Sequence, residues 1–325
     1  LRYALEAMSS LGITSVHDMG VTARDIDIYK EFADRGDLIV RIYALLSGAG
    51  KELDAQKEPL IDYGNGRLTV RAVKLYADGA LGSRGAAMLA PYSDDPHNKG
   101  LLFVSDDVME YMIRKTNERG FQAAVHAIGD AANKQVLDAF DAVQDGTPSA
   151  LRNRIEHAQV VQVEDIPRFA TLGVIPSVQP THATSDMNMA EDRVGADRIR
   201  GAYAWQRFLM QGSPIAAGSD FPVELANPFL GLHAAVTRQS PAGEPPCGWY
   251  PTQGLKIDQA LRAFTLDAAY SAHQENQIGS LEIGKAADFI FVDQDIFEVD
   301  PAELYKTRVL ATWVDGQPVY TRTDD

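Results

Sequence analysis

Short apolar runs alternate with amphipathic segments along most of the chain. Runs of strand length and composition fall at Ile13 to Met19, Ile39 to Leu46, Leu68 to Ala77, Phe121 to Ile128, Arg154 to Ala158, Gly173 to Gln179 and Pro214 to Ser219. Helices are predicted between them. One runs from Ala23 to Asp34 and is ended by Gly36, and one starts at a Ser105 N-cap, with Asp106 and Asp107 in its first turn, and reaches about Glu118. A third covers Ala131 to Val143, with Val136, Phe140 and Val143 on one face, and a fourth Ile257 to Ala269. Seven strands, each with room for a following helix, predict a parallel sheet. A (β/α)8 TIM barrel closes with eight strands in about 250 residues, so residues 1–278 read as a barrel domain with one strand missing. Beyond Gly279 the later runs follow one another with little helix between them, and Asp315-Gly316 is a hairpin signal. Residues 279–325 therefore read as part of a small β domain. The Gly- and Pro-punctuated stretch 78–100 has no period of its own, and loops of that length in a compact domain are usually functional.

Composition narrows the function. The chain has 325 residues, 45% of them hydrophobic and 23% charged, with a formal charge of −15. An acidic surface repels phosphates, which argues against a nucleic-acid partner. No apolar run reaches the roughly 20 residues of a membrane span, so no membrane partner is expected and a cytoplasmic setting is favoured. The single Cys247 excludes an intramolecular disulfide and a cysteine-rich zinc module.

The chemistry lies at the run ends. His126, His157 and Asp220 each close an apolar run, and in a parallel αβ barrel those ends converge on one mouth. Two imidazoles and a carboxylate from separate elements form a ligand set that zinc accepts; hydrogen-bonded structural histidines are the alternative. Lys74 is a fourth candidate. If Ala72, Lys74 and Tyr76 share the inner face, a lysine there is costly unless paired or neutral, and a salt bridge to Asp220 is the plainer reading. His182 follows the sixth run at the same mouth as a substrate-facing group, and Arg84, in the long loop, is suited to hold a carboxylate or carbonyl. Asp130 reads as a helix cap, Glu156 as a structural residue facing away from His157, and His233 as a helix-surface residue.

Several stretches together resemble the amidohydrolase superfamily, and within it the amidohydrolase-3 or YtcJ-like group, which includes N-substituted formamide deformylases. They are Val73-Lys74-Leu75-Tyr76-Ala77-Asp78-Gly79-Ala80-Leu81-Gly82-Ser83-Arg84, Val125-His126-Ala127-Ile128-Gly129-Asp130 and Arg154-Ile155-Glu156-His157-Ala158. Gln179-Pro180-Thr181-His182, Gly218-Ser219-Asp220-Phe221-Pro222-Val223 and 279–288 complete the ordered set. The resemblance implies a metal-dependent TIM-barrel hydrolase of C–N bonds (amide, N-formyl or related) with a small β-sandwich built from both chain ends. By that likeness His126 and His157 match the metal-binding histidines of strands five and six. Asp220 matches the strand-eight aspartate that binds metal and takes the proton of the attacking water. Lys74 matches the strand-four position, where a carbamylated lysine bridges two metals in some members. The implied cofactor is a divalent metal, one or two ions, with zinc expected.

One departure matters. The His-x-His of the family's first strand has no counterpart, and His17 fits the second strand better, so the chain resembles the C-terminal part of such proteins. A barrel scaffold without catalytic metal is the alternative. A metal-free carboxylate-pair glycosidase is a third; it needs two acids at strand ends about 5–9.5 Å apart, and only Asp220 and Asp78 qualify. A missing strand also leaves two unpaired sheet edges, which predicts self-association into a homo-oligomer.

Overall fold

The computed structural model describes residues 1–323. Its main sheet is built from β1 (Ser15–Val21), β2 (Arg41–Ser47), β3 (Leu60–Asp62), β4 (Leu68–Tyr76), β5 (Gln122–Ala127), β6 (Arg154–His157), β7 (Ile175–Val178) and β8 (Ala216–Ala217). The order is β1-β2-β4-β5-β6-β7-β8, every neighbouring pair on this path being parallel. β3 joins β4 antiparallel at one register pair and has no counterpart in the sequence reading. Among the described residues no ladder joins β8 back to β1, so the sheet curls as an open part-barrel with the seven expected parallel strands. The last strand is much shorter than expected: of Pro214 to Ser219 only Ala216 and Ala217 are register-paired, and the prolyl nitrogen cannot donate to extend the ladder backward.

Alternation along the strands separates two cores. Ile42, Ala44 and Leu46, Val70, Val73 and Leu75, and Ala123, Val125 and Ala127 pack outward against helices such as Asp130–Gln144, which buries Val136, Leu137 and Phe140. Tyr43, Leu45, Ala72 and Ala124 form a smaller cluster inside the curl. The helix Ala23–Asp34 starts at Thr22 through a reciprocal pair of bonds, Asp25 N–H to Thr22 Oγ1 and Thr22 N–H to Asp25 Oδ2.

A second sheet, antiparallel and ordered β11-β10-β9, is formed by β9 (Phe289–Val292), β10 (Val309–Val314) and β11 (Gln317–Thr321). The last two are joined at Asp315-Gly316, both with positive φ (58° and 72°), the conformation that a type I′ turn requires and that Asp-Gly supplies. The helix Arg2–Ser10 lies against it, with Thr312 Oγ1 donating to the Ser9 carbonyl at 2.7 Å. Arg41 at the start of β2 forks onto Asp288 at 2.7 and 3.1 Å. Both side chains are nearly fully buried, so the pair ties the small sheet to the foot of the large one.

Candidate metal centre

The inner face of the curl becomes polar toward the C-terminal strand ends. On β4 the side chains after Ala72 on that face are Lys74 and Tyr76; on β5 Ala124 is followed by His126. On β6 Arg154 and Glu156 point inward, buried, with Arg154 Nε and Nη2 on Glu156 Oε1 at 2.8 and 2.7 Å and Nη1 3.0 Å from His17 Nδ1. The expectation that Glu156 faces away from the site is thereby corrected: it shares the inner face with His126, its register partner on β5. Strict alternation would send His157 outward after Ile155. Instead its φ of +77°, followed by +43° at Ala158, turns the strand end, and its ring centroid lies 4.6 Å from that of His126 and 5.7 Å from that of His182. Asp220 is held in the same left-handed region at φ +59°. Non-glycine residues in that region cost of order 1–3 kcal/mol and cluster at functional sites.

The structure brings His157, His182 and Asp220 together as one potential metal-binding group, with one ligand atom of each within 4.8 Å of the others. His182 Nε2 lies 3.6 Å from Asp220 Oδ2 and, although buried, has no hydrogen-bond partner. His157 Nδ1 is 2.7 Å from Gln179 Oε1, and the Gln179 amide nitrogen donates to the Ser177 carbonyl at 3.3 Å. That second bond fixes the amide, so Nδ1–H is the donor and Nε2 carries the free lone pair. This is the orientation device that metal-ligating histidines use. His126 stands beside this trio and outside it. Its Nε2 is buried without a hydrogen bond, 3.5 Å from Asp78 Oδ1. Burial, then the neighbouring Lys74 ammonium, holds His126 down at about 4; burial, then His126 and Lys74, holds His157 well below its ordinary value. Both rings are neutral near pH 7, the state in which imidazole ligates a metal. Orphaned imidazole nitrogens around a carboxylate are donors that fit a divalent cation.

Lys74 is buried with its Nζ 5.0 Å from the Tyr76 ring centroid. No salt bridge joins it to Asp220 or to any other acid among the described residues, and burial holds its ammonium below the usual range. Asp220 is half-buried and its carboxyl is raised, chiefly by burial. Arg84 does not reach this centre: its guanidinium forks onto Asp94 at 3.1 and 3.0 Å within the long loop. Asp130 caps no helix through its side chain; Gly129 is the N-cap, and Asp130 Oδ1 accepts from Leu89 N–H at 2.8 Å. His233 is buried, not on the surface, with Nδ1 3.1 Å from the Pro301 carbonyl.

Two further residues organise the centre in ways that sequence does not display. Gln179 was quoted only within a motif, and nothing in a lone amide announces that it holds a histidine. Asp78 is buried and accepts from Ala87, Ile128 and Gly129 N–H at 2.8, 3.0 and 2.8 Å. Burial outweighs those three bonds and pushes its carboxyl up to about 7. It clamps the long loop to the end of β5, and its place directly after the Tyr76-Ala77 strand end was the available signal.

A curled parallel sheet carrying imidazoles and a carboxylate at its C-terminal mouth defines the metal-dependent, TIM-barrel-like hydrolase fold. The amidohydrolase family pattern matches residues 1–320, and the chain belongs to that family. It is 34% identical over 273 residues, 84% of this chain, to YtcJ of Bacillus subtilis (strain 168), described as an amidohydrolase, and covers 50% of that protein. It is 26% identical over 326 residues, 97% of this chain and 58% of the relative, to the N-substituted formamide deformylase of Arthrobacter pascens. Among solved structures an uncharacterized metal-dependent hydrolase from Pyrococcus horikoshii OT3 superposes with a TM-score of 0.83 at 30% identity, over 92% of this chain and 60% of that one. The chain thus spans about half the length of the curated relatives it matches. No helix among the described residues is long and apolar enough to cross a membrane.

Proposed function

We propose that this chain carries the metal-binding and proton-transfer apparatus of a hydrolase acting on a C–N bond, amide, N-formyl or related, in a small molecule. The observation that carries the reading is the His157–His182–Asp220 group at the mouth, with a third histidine, His126, beside it. A bound divalent cation, zinc by its taste for nitrogen and oxygen donors, supplies Lewis acidity toward water and a carbonyl oxygen. The chain's own residues do the rest. His157 and His182 present their Nε2 atoms, and Gln179 keeps the His157 ring turned toward the mouth. Asp220 accepts the proton of the attacking water and returns it to the leaving nitrogen, a role suited to a carboxyl raised by burial. Lys74, buried and without a counter-ion, is suited to carbamylation: the neutral amine forms an N–C bond to carbon dioxide, one C=O π pair becomes the carboxylate, and the amine proton leaves to solvent. Glu156 and Asp220 already bear on Lys74 electrostatically, and an anion there would balance the centre's positive charge.

The test is metal content per chain by elemental analysis, on protein purified without chelator, beside Asp220→Ala, together with amine release from a panel of N-formyl and N-acyl amines. Tightly held metal that the variant loses, with amine release by the wild type, is expected. Metal-free wild-type protein, or metal without release from any member of the panel, sinks the hydrolase reading.

A further inference from the structure

Few polar donors around the centre remain open to a ligand. Arg84 is taken by Asp94, and Gln179 is divided between His157 and Ser177. Tyr76 differs from both of these. It is the last residue of β4, on the inner face with Ala72 and Lys74, and it pairs in register with His126. Its ring centroid lies 5.0 Å from Lys74 Nζ and 5.6 Å from the centroid of His126. The residue is nonetheless 47% exposed, and its hydroxyl makes no hydrogen bond among the described residues.

We propose that the Tyr76 hydroxyl donates a hydrogen bond to the carbonyl oxygen of the substrate and so positions the scissile C–N bond beside Asp220. The assignment rests on the hydrolase reading above. As water adds to the carbonyl carbon, the C=O π pair moves onto oxygen, and a donor aimed there gains strength in the transition state. The phenol gives up no proton. The water proton goes to Asp220 and then to the leaving nitrogen, and the step balances without another reactant. One face of the same ring covers Lys74 Nζ. Tyr76→Phe therefore removes the donor and keeps the cover, whereas Tyr76→Ala removes both.

The experiment titrates acetohydroxamic acid, a small carbonyl compound, calorimetrically into metal-loaded wild type, Tyr76→Phe and Tyr76→Ala, with metal per chain measured on each sample. Tyr76→Phe is expected to hold wild-type metal and to bind the hydroxamate about 2- to 12-fold more weakly, the range for one lost hydrogen bond. For an N-formyl amine that the wild type turns over, kcat should fall about 10²-fold with KM little changed. Full metal with unchanged hydroxamate affinity and unchanged kcat in Tyr76→Phe overturns the Tyr76 assignment alone. A wild type that holds no metal overturns the hydrolase reading, and this assignment with it.

Discussion

Neutral histidines set the acid side of this protein's stability. His17 accepts from Arg154 inside the curl, and burial and that guanidinium hold it at about 3; His273, against the Leu151 carbonyl, is held at about 4, first by burial. Both pKa values are depressed in the folded state, so the unfolded chain binds more protons between pH 6.5 and about 4. The contribution of these two rings to stability is therefore complete above 6.5 and falls as the pH drops through that window, where the raised Asp78 carboxyl acts in the opposite sense. Urea midpoints from pH 7.5 to 4 should show the decline, and a His17→Gln variant a shallower one; a flat profile contradicts it. Gln179 makes a second prediction at this scale. Gln179→Leu fills similar space but releases the His157 ring, and metal affinity should fall about 10- to 100-fold, as outer-shell losses do. A competition titration against a chromophoric chelator would read it, and unchanged affinity would remove Gln179 from the centre.

Among the elements, the runs rich in branched residues were legible and the weak ones were not. Val73, Val125 and Ile155 stand in strands whose outward faces are buried under helices, so hydrophobicity alone located them. β3 offers only three residues and one register pair, too little for any period to register. The ligand-bearing strand ends were read from residue type, yet how they converge was not. The left-handed φ of His157 belongs to the chain's path between β6 and the next helix and leaves no trace in composition. The long loop after β4 was marked as functional only by its length. Its anchoring by Asp78 depends on three backbone N–H groups, which sequence does not display. Asp78→Ala would leave those buried donors unpaired, each at about 1–3 kcal/mol. The amides of Ala87, Ile128 and Gly129 should then exchange faster, and cleavage should appear within residues 79–104 in limited proteolysis; an unchanged pattern would show that the loop is held elsewhere. Gly129 tells the same story sterically. A Cβ there would sit 2.0 Å from the Ala87 carbonyl oxygen, so Gly129→Ala should lower the Tm by several degrees in a thermal melt.

At the level of the whole molecule, the open curl leaves β1 and β8 as edges, and such rows of unpaired backbone groups invite pairing with another chain. Sedimentation velocity is expected to show dimers or larger species, reduced by a charged substitution at Val16 on β1; a sharp monomer boundary across concentration would contradict the expectation. The two edges are unequal. β8 holds to its neighbour through two register pairs and the Gly218 N–H to Val178 carbonyl bond, and Asp220 stands three residues past its end. The proposed proton carrier thus follows a short edge strand paired on one side, while His126 and His157 stand on strands paired on both sides. Local opening free energies track such differences, so the centre has a hinge side and a latch side. Opening at the centre is therefore expected to begin at that short strand, and amide exchange at Gly218 faster than at Val125 would show it.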